Sequence, residues 1–139
     1  MVFHTKCGVA PHLVWKYESD RIRRMSDLSE LTKKVIAFRT ARDWKQFHNP
    51  KDMSLSLVLE ACELMEHFQW KNAEEMEKHI KEHKKEIGEE LADVLYWILL
   101  MSHDFGIDMK DALEKKLKVA AKKYPVKKAK GKHTKYTEL

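Results

Sequence analysis

The stretch "EIGEELADVLYWILLM", residues 86–101, leaves the chain few choices. From Val94 to Met101 it is apolar without a break, and a helix that is apolar all round has to lie in a core. At about 100° per residue, Glu86, Glu90, Asp93 and Trp97 fall on one line of that helix. The acids therefore stand at the entrance to the core.

Residues 54–69 repeat the arrangement. Leu55, Leu57, Val58, Leu59, Ala61, Cys62, Leu64, Met65 and Phe68 cover well over half of a helix circumference, and Ser56, Glu60, Glu63 and His67 share the narrow arc that is left. Such a helix is expected to be buried on most sides, with its acidic stripe facing a cavity or a shallow cleft. If the two helices pack side by side, Glu60, Glu63, Glu90 and Asp93 come together. Like charges one turn apart cost little when exposed and far more when partly desolvated, so a cation is expected between them.

All-oxygen donors favour a hard ion, Mg²⁺ or else Mn²⁺. A di-iron centre in a helical bundle would want Glu-x-x-His pairs, and no Glu of this chain is followed three residues later by His. An E-x-x-E spacing alone usually marks a solvated face, which is the reading for Glu74, Glu75 and Glu77. Apolar surroundings and the pairing of two such helices set the other four acids apart.

The rest of the chain reads as helices with clear punctuation. Residues 1–24 show no periodicity and are expected to form a loosely attached extension, with an all-α domain over 25–124 and a basic tail over 125–139. Asp27 and Glu30 form a capping-box pattern ahead of Leu28, Leu31, Val35 and Phe38, a helix ending near Asp43. The loop "DWKQFHNPKD" precedes the second helix. Asn72 is placed to cap a short connecting helix, Gly106 to stop the apolar one, and Asp108 to start a last helix that ends before Pro125. The expectation is four main helices and a short one, with no strand.

A chain of 139 residues suits one domain. Its two cysteines, Cys7 and Cys62, have no metal-like spacing and suggest no disulfide framework, which fits a reducing cytosol. No window approaches the roughly 20 apolar residues of a membrane span, so a soluble cytoplasmic protein is expected. The net charge of +5 is uneven: residues 1–24 carry five Lys or Arg against two acids, and residues 122–139 carry seven Lys against Glu138. The body between is acidic. That weakens, without removing, the alternative of a non-enzymatic nucleic-acid binder or structural bundle with a basic tail.

The pairing of "EACE" and "ELAD", with "FRTARDWKQFHNPK" and "FQWK" around the first and "KKYPVKKAKGKHTKYTEL" at the end, resembles the MazG-like nucleotide pyrophosphohydrolases, in particular their small members of the dCTP pyrophosphatase kind. The resemblance covers residues 26–139. It implies an all-α fold that hydrolyses a nucleoside triphosphate to the monophosphate and pyrophosphate, with Mg²⁺ held by Glu60, Glu63, Glu90 and Asp93, and assembly into dimers or tetramers.

Trp44, Phe47, His48 and Trp70 flank the first acidic helix, and aromatic faces stack on any nucleobase. By resemblance Trp44, His48 and Trp70 are the leading base contacts. Trp97 either walls the same pocket or packs the core. Lys116, Lys122 and Lys123 either contact phosphate oxygens or stay solvated. Ala120 stands where relatives often have Asn, Val35 where some have His, and Trp97 where many have Tyr. A cytosine deoxynucleotide is the first expectation for substrate, with a broader dNTP range as the alternative.

Overall fold

The computed structural model describes residues 28–138. The expected extension over 1–24, the start at Met25, the Asp27 cap and Cys7 lie outside the described residues. Within them the chain is all-helical and contains no strand. Helix α1 covers residues 28–40, followed by a 3-10 turn at Trp44–Phe47, α2 at Pro50–Glu66, α3 at Ala73–Glu82, α4 at Lys84–Asp104, α5 at Met109–Lys123 and a single turn, α6, at Val126–Ala129.

Capping residues explain most boundaries. Helix α2 starts a turn earlier than the apolar pattern suggests, because the Asn49 side chain accepts the Asp52 N–H at 3.0 Å and Pro50 is preorganised for the first helical position. Asn72 caps α3 in a full capping box: its side chain accepts the Glu75 N–H, and Glu75 accepts the Asn72 N–H at 2.8 Å. Asp108 caps α5 through the Asp111 N–H. Gly106, at φ 66°, turns the chain out of α4 while the Ile107 N–H bonds back to the Ser102 carbonyl at 2.8 Å.

The chain divides into two compact units between Leu100 and Met101, inside α4. In the first, Met53, Leu99 and Leu100 are buried, as is Arg39 on α1. In the second, residues beyond Pro125 do not simply trail away: Tyr136 packs edge-to-face on Tyr124 at 5.8 Å, and the Lys123 ammonium sits 4.8 Å from the Tyr136 ring centre.

The expectation that α2 is buried on most sides does not hold within the single chain. Leu55, Val58, Leu59 and Met65 share one broad face of α2, and all are exposed, Leu59 to 62%. Glu60, Leu64 and His67 occupy the opposite arc and are half-buried. Of the narrow acidic stripe, Glu60 and His67 thus turn toward the chain's own body while Glu63 stays exposed, and the broad apolar face turns outward. On α4, Leu99 and Leu100 are buried while Leu91 and Leu95 stay exposed.

Candidate metal and nucleotide site

Helix α2 supplies Glu60, and α4 supplies Glu90 and Asp93 one turn apart. These three carboxylates each present an oxygen such that all three lie within 4.8 Å of one another. Glu60 and Glu90 are half-buried and Asp93 is exposed. Burial, and then the charges of Glu63, Asp93 and Glu60, push the Glu90 pKa up, against a smaller opposing effect of His67. Three acids placed in this way could hold a metal ion, and a set of carboxylate oxygens fits a hard divalent cation. Glu63 is exposed on α2 and does not join the close trio, although its charge reaches Glu90.

Trp97 lies one turn beyond Asp93 and donates its Nε1–H to Glu60 Oε1 at 3.3 Å, bridging α4 back to α2. Its ring also lies against His48, with ring centres 5.2 Å apart. From there an aromatic wall runs through Trp44, 6.5 Å from His48, to Phe38, 5.8 Å from Trp44 in an edge-to-face pair. The Arg42 guanidinium stacks over Phe38 at 3.6 Å and supports that wall from behind. Tyr96 adds a further edge-to-face contact with Trp97 at 5.3 Å, and burial raises the pKa of its hydroxyl, which stays protonated at neutral pH.

These side chains border an open cleft of about 480 Å³, lined by Lys34, Val35, Phe38, Trp44, His48, Tyr96 and Trp97, with Glu60 and Asp93 on its wall. An aromatic compartment that shares Glu60 and Asp93 with a cation site has the two halves that a nucleotide requires. Trp44, His48 and Trp97 are therefore placed together with the acids. Phe47, exposed at the far end of its 3-10 turn, is not in the pocket wall. Trp70 is 92% exposed and has φ 66°, a left-handed backbone that a large side chain rarely adopts. Its ring is not core filler. Lys116, Lys122 and Lys123 are exposed on α5, in the second unit.

Lys34, Phe38 and Tyr96 line the pocket without having stood out in the sequence. Phe38 reads there as one more apolar position of an amphipathic helix. The usable signal is Val35, the place where some relatives carry His, since Lys34 and Phe38 flank it on the same side of α1.

With this geometry the chain's relationships are specific. It belongs to the MazG-like family, whose model matches residues 55–139. Among characterised relatives it is similar to dCTP pyrophosphatase 1 of Rattus norvegicus, 34% identical over 114 residues, covering 81% of this chain and 67% of that protein. The same enzyme of Homo sapiens is 33% identical over 114 residues, at 81% and 67% coverage. Among solved structures, a pyrophosphatase from Archaeoglobus fulgidus superposes with a TM-score of 0.69 at 33% identity, covering 71% of this chain and 93% of the other.

Proposed function

We propose that this chain, a nucleoside triphosphate pyrophosphatase, cleaves dCTP or related dNTPs to the monophosphate and pyrophosphate with Mg²⁺, or else Mn²⁺, held by Glu60, Glu90 and Asp93, Glu63 completing the acidic set. The observation that carries this is the trio of carboxylates within 4.8 Å, two of which also line an aromatic pocket. The cytosine preference rests on the similarity to dCTP pyrophosphatases, and the role is removal of unwanted nucleotides from the cytoplasmic pool.

When bound, the cation supplies charge neutralisation and Lewis acidity toward the phosphate oxygens. The protein's own groups do the rest. Trp44, His48 and Trp97 hold the base against the aromatic wall; Trp70 does not line that pocket and is kept as a further candidate base contact on its exposure alone. Glu60 is kept in register by the Trp97 N–H. A water attacks the α-phosphorus and gives its proton to a carboxylate of the cluster while pyrophosphate leaves.

The exposed apolar face of α2 is assigned to a second copy of the chain. Leu55, Val58, Leu59 and Met65 form a contiguous patch of a kind that folded monomers rarely leave open. A homodimer, or a tetramer of such dimers, covers it.

Incubating the protein with each dNTP and Mg²⁺ while separating the products tests the activity. Monophosphate and pyrophosphate in equal amounts, with dCTP among the best substrates, is the expected result. Release of inorganic phosphate, or no turnover of any triphosphate, refutes it.

A further inference from the structure

A second cluster of side chains, which borders the acidic site through the influence of His67 on Glu90, brings together three histidines around the turn that carries Trp70. His67 follows the last residue of α2, His79 lies in the last turn of α3, and His83 is the residue after α3. All three are half-buried. His67 Nδ1 and His79 Nε2 stand 3.1 Å apart, and the His79 and His83 rings are 4.2 Å apart and nearly parallel. Phe68 closes over His79 edge-to-face, with ring centres 6.4 Å apart.

Two imidazole nitrogens bound to one tetrahedral ion, at bonds of about 2.0–2.1 Å, are separated by about 3.3 Å. The His67–His79 contact already has nearly that spacing. His83, the cap residue that follows α3, stands next to the pair with its ring stacked on His79, a third imidazole beside the two facing nitrogens. Burial, together with the charges of His83, Lys71 and His67, lowers the His79 pKa, so that its ring is neutral at neutral pH and has a lone pair to give.

We propose that His67 and His79, joined by His83 as its ring turns off its stack on His79, form a binding site for a borderline transition-metal dication of the Zn²⁺ type. In the metal-free protein the two facing nitrogens share a proton as an N–H···N hydrogen bond. On binding, that proton moves to the other nitrogen of the same ring, so no net charge is lost and both facing lone pairs reach the ion. Imidazole donors suit Zn²⁺, Ni²⁺ or Cu²⁺ and disfavour Mg²⁺, which separates this site from the carboxylate trio by chemistry. The ion would tie the end of α2 to the end of α3 and so clamp the segment 68–72 between them, Trp70 included. This inference does not depend on the pyrophosphatase reading.

The test is titration of Zn²⁺ into the metal-free full chain, by calorimetry and thermal melting without nucleotide, with Co²⁺ absorption as a second probe. A triple variant, Glu60→Gln with Glu90→Gln and Asp93→Asn, removes the close trio of competing carboxylates. The expected result is one Zn²⁺ per chain that survives in that variant and raises its Tm, with the intense visible absorption of a low-coordinate, nitrogen-bound Co²⁺. His79→Gln and, separately, His67→Gln should each weaken Zn²⁺ by about tenfold or more, and His83→Gln should weaken it as well. The proposal is overturned if Zn²⁺ uptake disappears with the carboxylates and is indifferent to His67 and His79, or if the triple variant binds none. An unchanged affinity in His83→Gln overturns the three-donor form. Far-ultraviolet circular dichroism of each variant separates lost binding from lost folding.

Discussion

Trp97→Phe separates two functions that one side chain combines. Phenylalanine keeps an aromatic ring against His48 but removes the Nε1–H that reaches Glu60 Oε1 at 3.3 Å. Hydrogen bonds to a charged acceptor contribute about 1.5–3 kcal/mol. At 3.3 Å this one is longer than the usual N–H···O range, so the low end applies, about 1.5 kcal/mol or roughly a tenfold effect on an equilibrium constant. The loss should fall on the cation, because Glu60 is no longer held in one rotamer and must be ordered by the ion itself. The assay is Mn²⁺ binding without nucleotide, followed by electron paramagnetic resonance, then the Mg²⁺ dependence of turnover at saturating substrate. The expected outcome is Mn²⁺ affinity and the half-saturating Mg²⁺ concentration both shifted about tenfold, with kcat largely recovered at high Mg²⁺. Unchanged Mn²⁺ affinity together with a raised nucleotide KM would refute the positioning role and leave Trp97 as a pocket wall alone.

Other consequences of the same geometry can be measured directly. Glu90→Gln should abolish turnover yet raise the Tm of the metal-free protein, because it removes the acid whose ionisation the site opposes. Since the Glu90 pKa is raised on folding, its ionisation destabilises the metal-free fold, and that penalty is relieved as pH falls through the raised pKa; the gap in Tm between the two proteins should narrow on acidification. A gap that widens would contradict that sign. Trp70→Ala should leave stability within about 0.5 kcal/mol, the side chain being almost wholly in solvent, while weakening nucleotide binding by about 1–3 kcal/mol. A large loss of stability without change in KM would show that Trp70 packs. Leu59→Glu should shift sedimentation toward the monomer with helicity retained; a wild-type chain that already sediments as a monomer would remove the interface.

Much of the fold was legible because its signals are local. Asn72, Gly106 and Asp108 act through side chains or backbone angles within a few residues, so sequence spacing was enough to place the ends of α3, α4 and α5. The apolar pattern alone starts α2 too late, because Asn49 and Pro50 lie in a loop-like stretch, although the two together are a strong N-terminal signal. Helical periodicity also put Glu60, Glu90 and Asp93 on coherent stripes. What it could not supply was direction: an amphipathic wheel identifies two faces without saying which is turned inward. The size of the apolar face of α2 points it inward, whereas in the single chain it is Glu60 and His67 of the smaller acidic arc that turn inward. The pocket wall escaped for a different reason, since Lys34, Phe38 and Tyr96 are gathered from α1 and α4 by tertiary packing alone.

Trp70 has one more use. Its indole lies almost entirely in water, whereas Trp44 and Trp97 are set into a packed aromatic wall, so the three rings differ in polarity and in neighbours. Indole emission follows both, and a nucleobase stacked on Trp70 would draw that ring out of water and quench it. Should Trp70 meet the base, the chain would contain its own optical gauge of occupancy, readable in the unlabelled protein, with Trp70→Ala as the blank that identifies the signal.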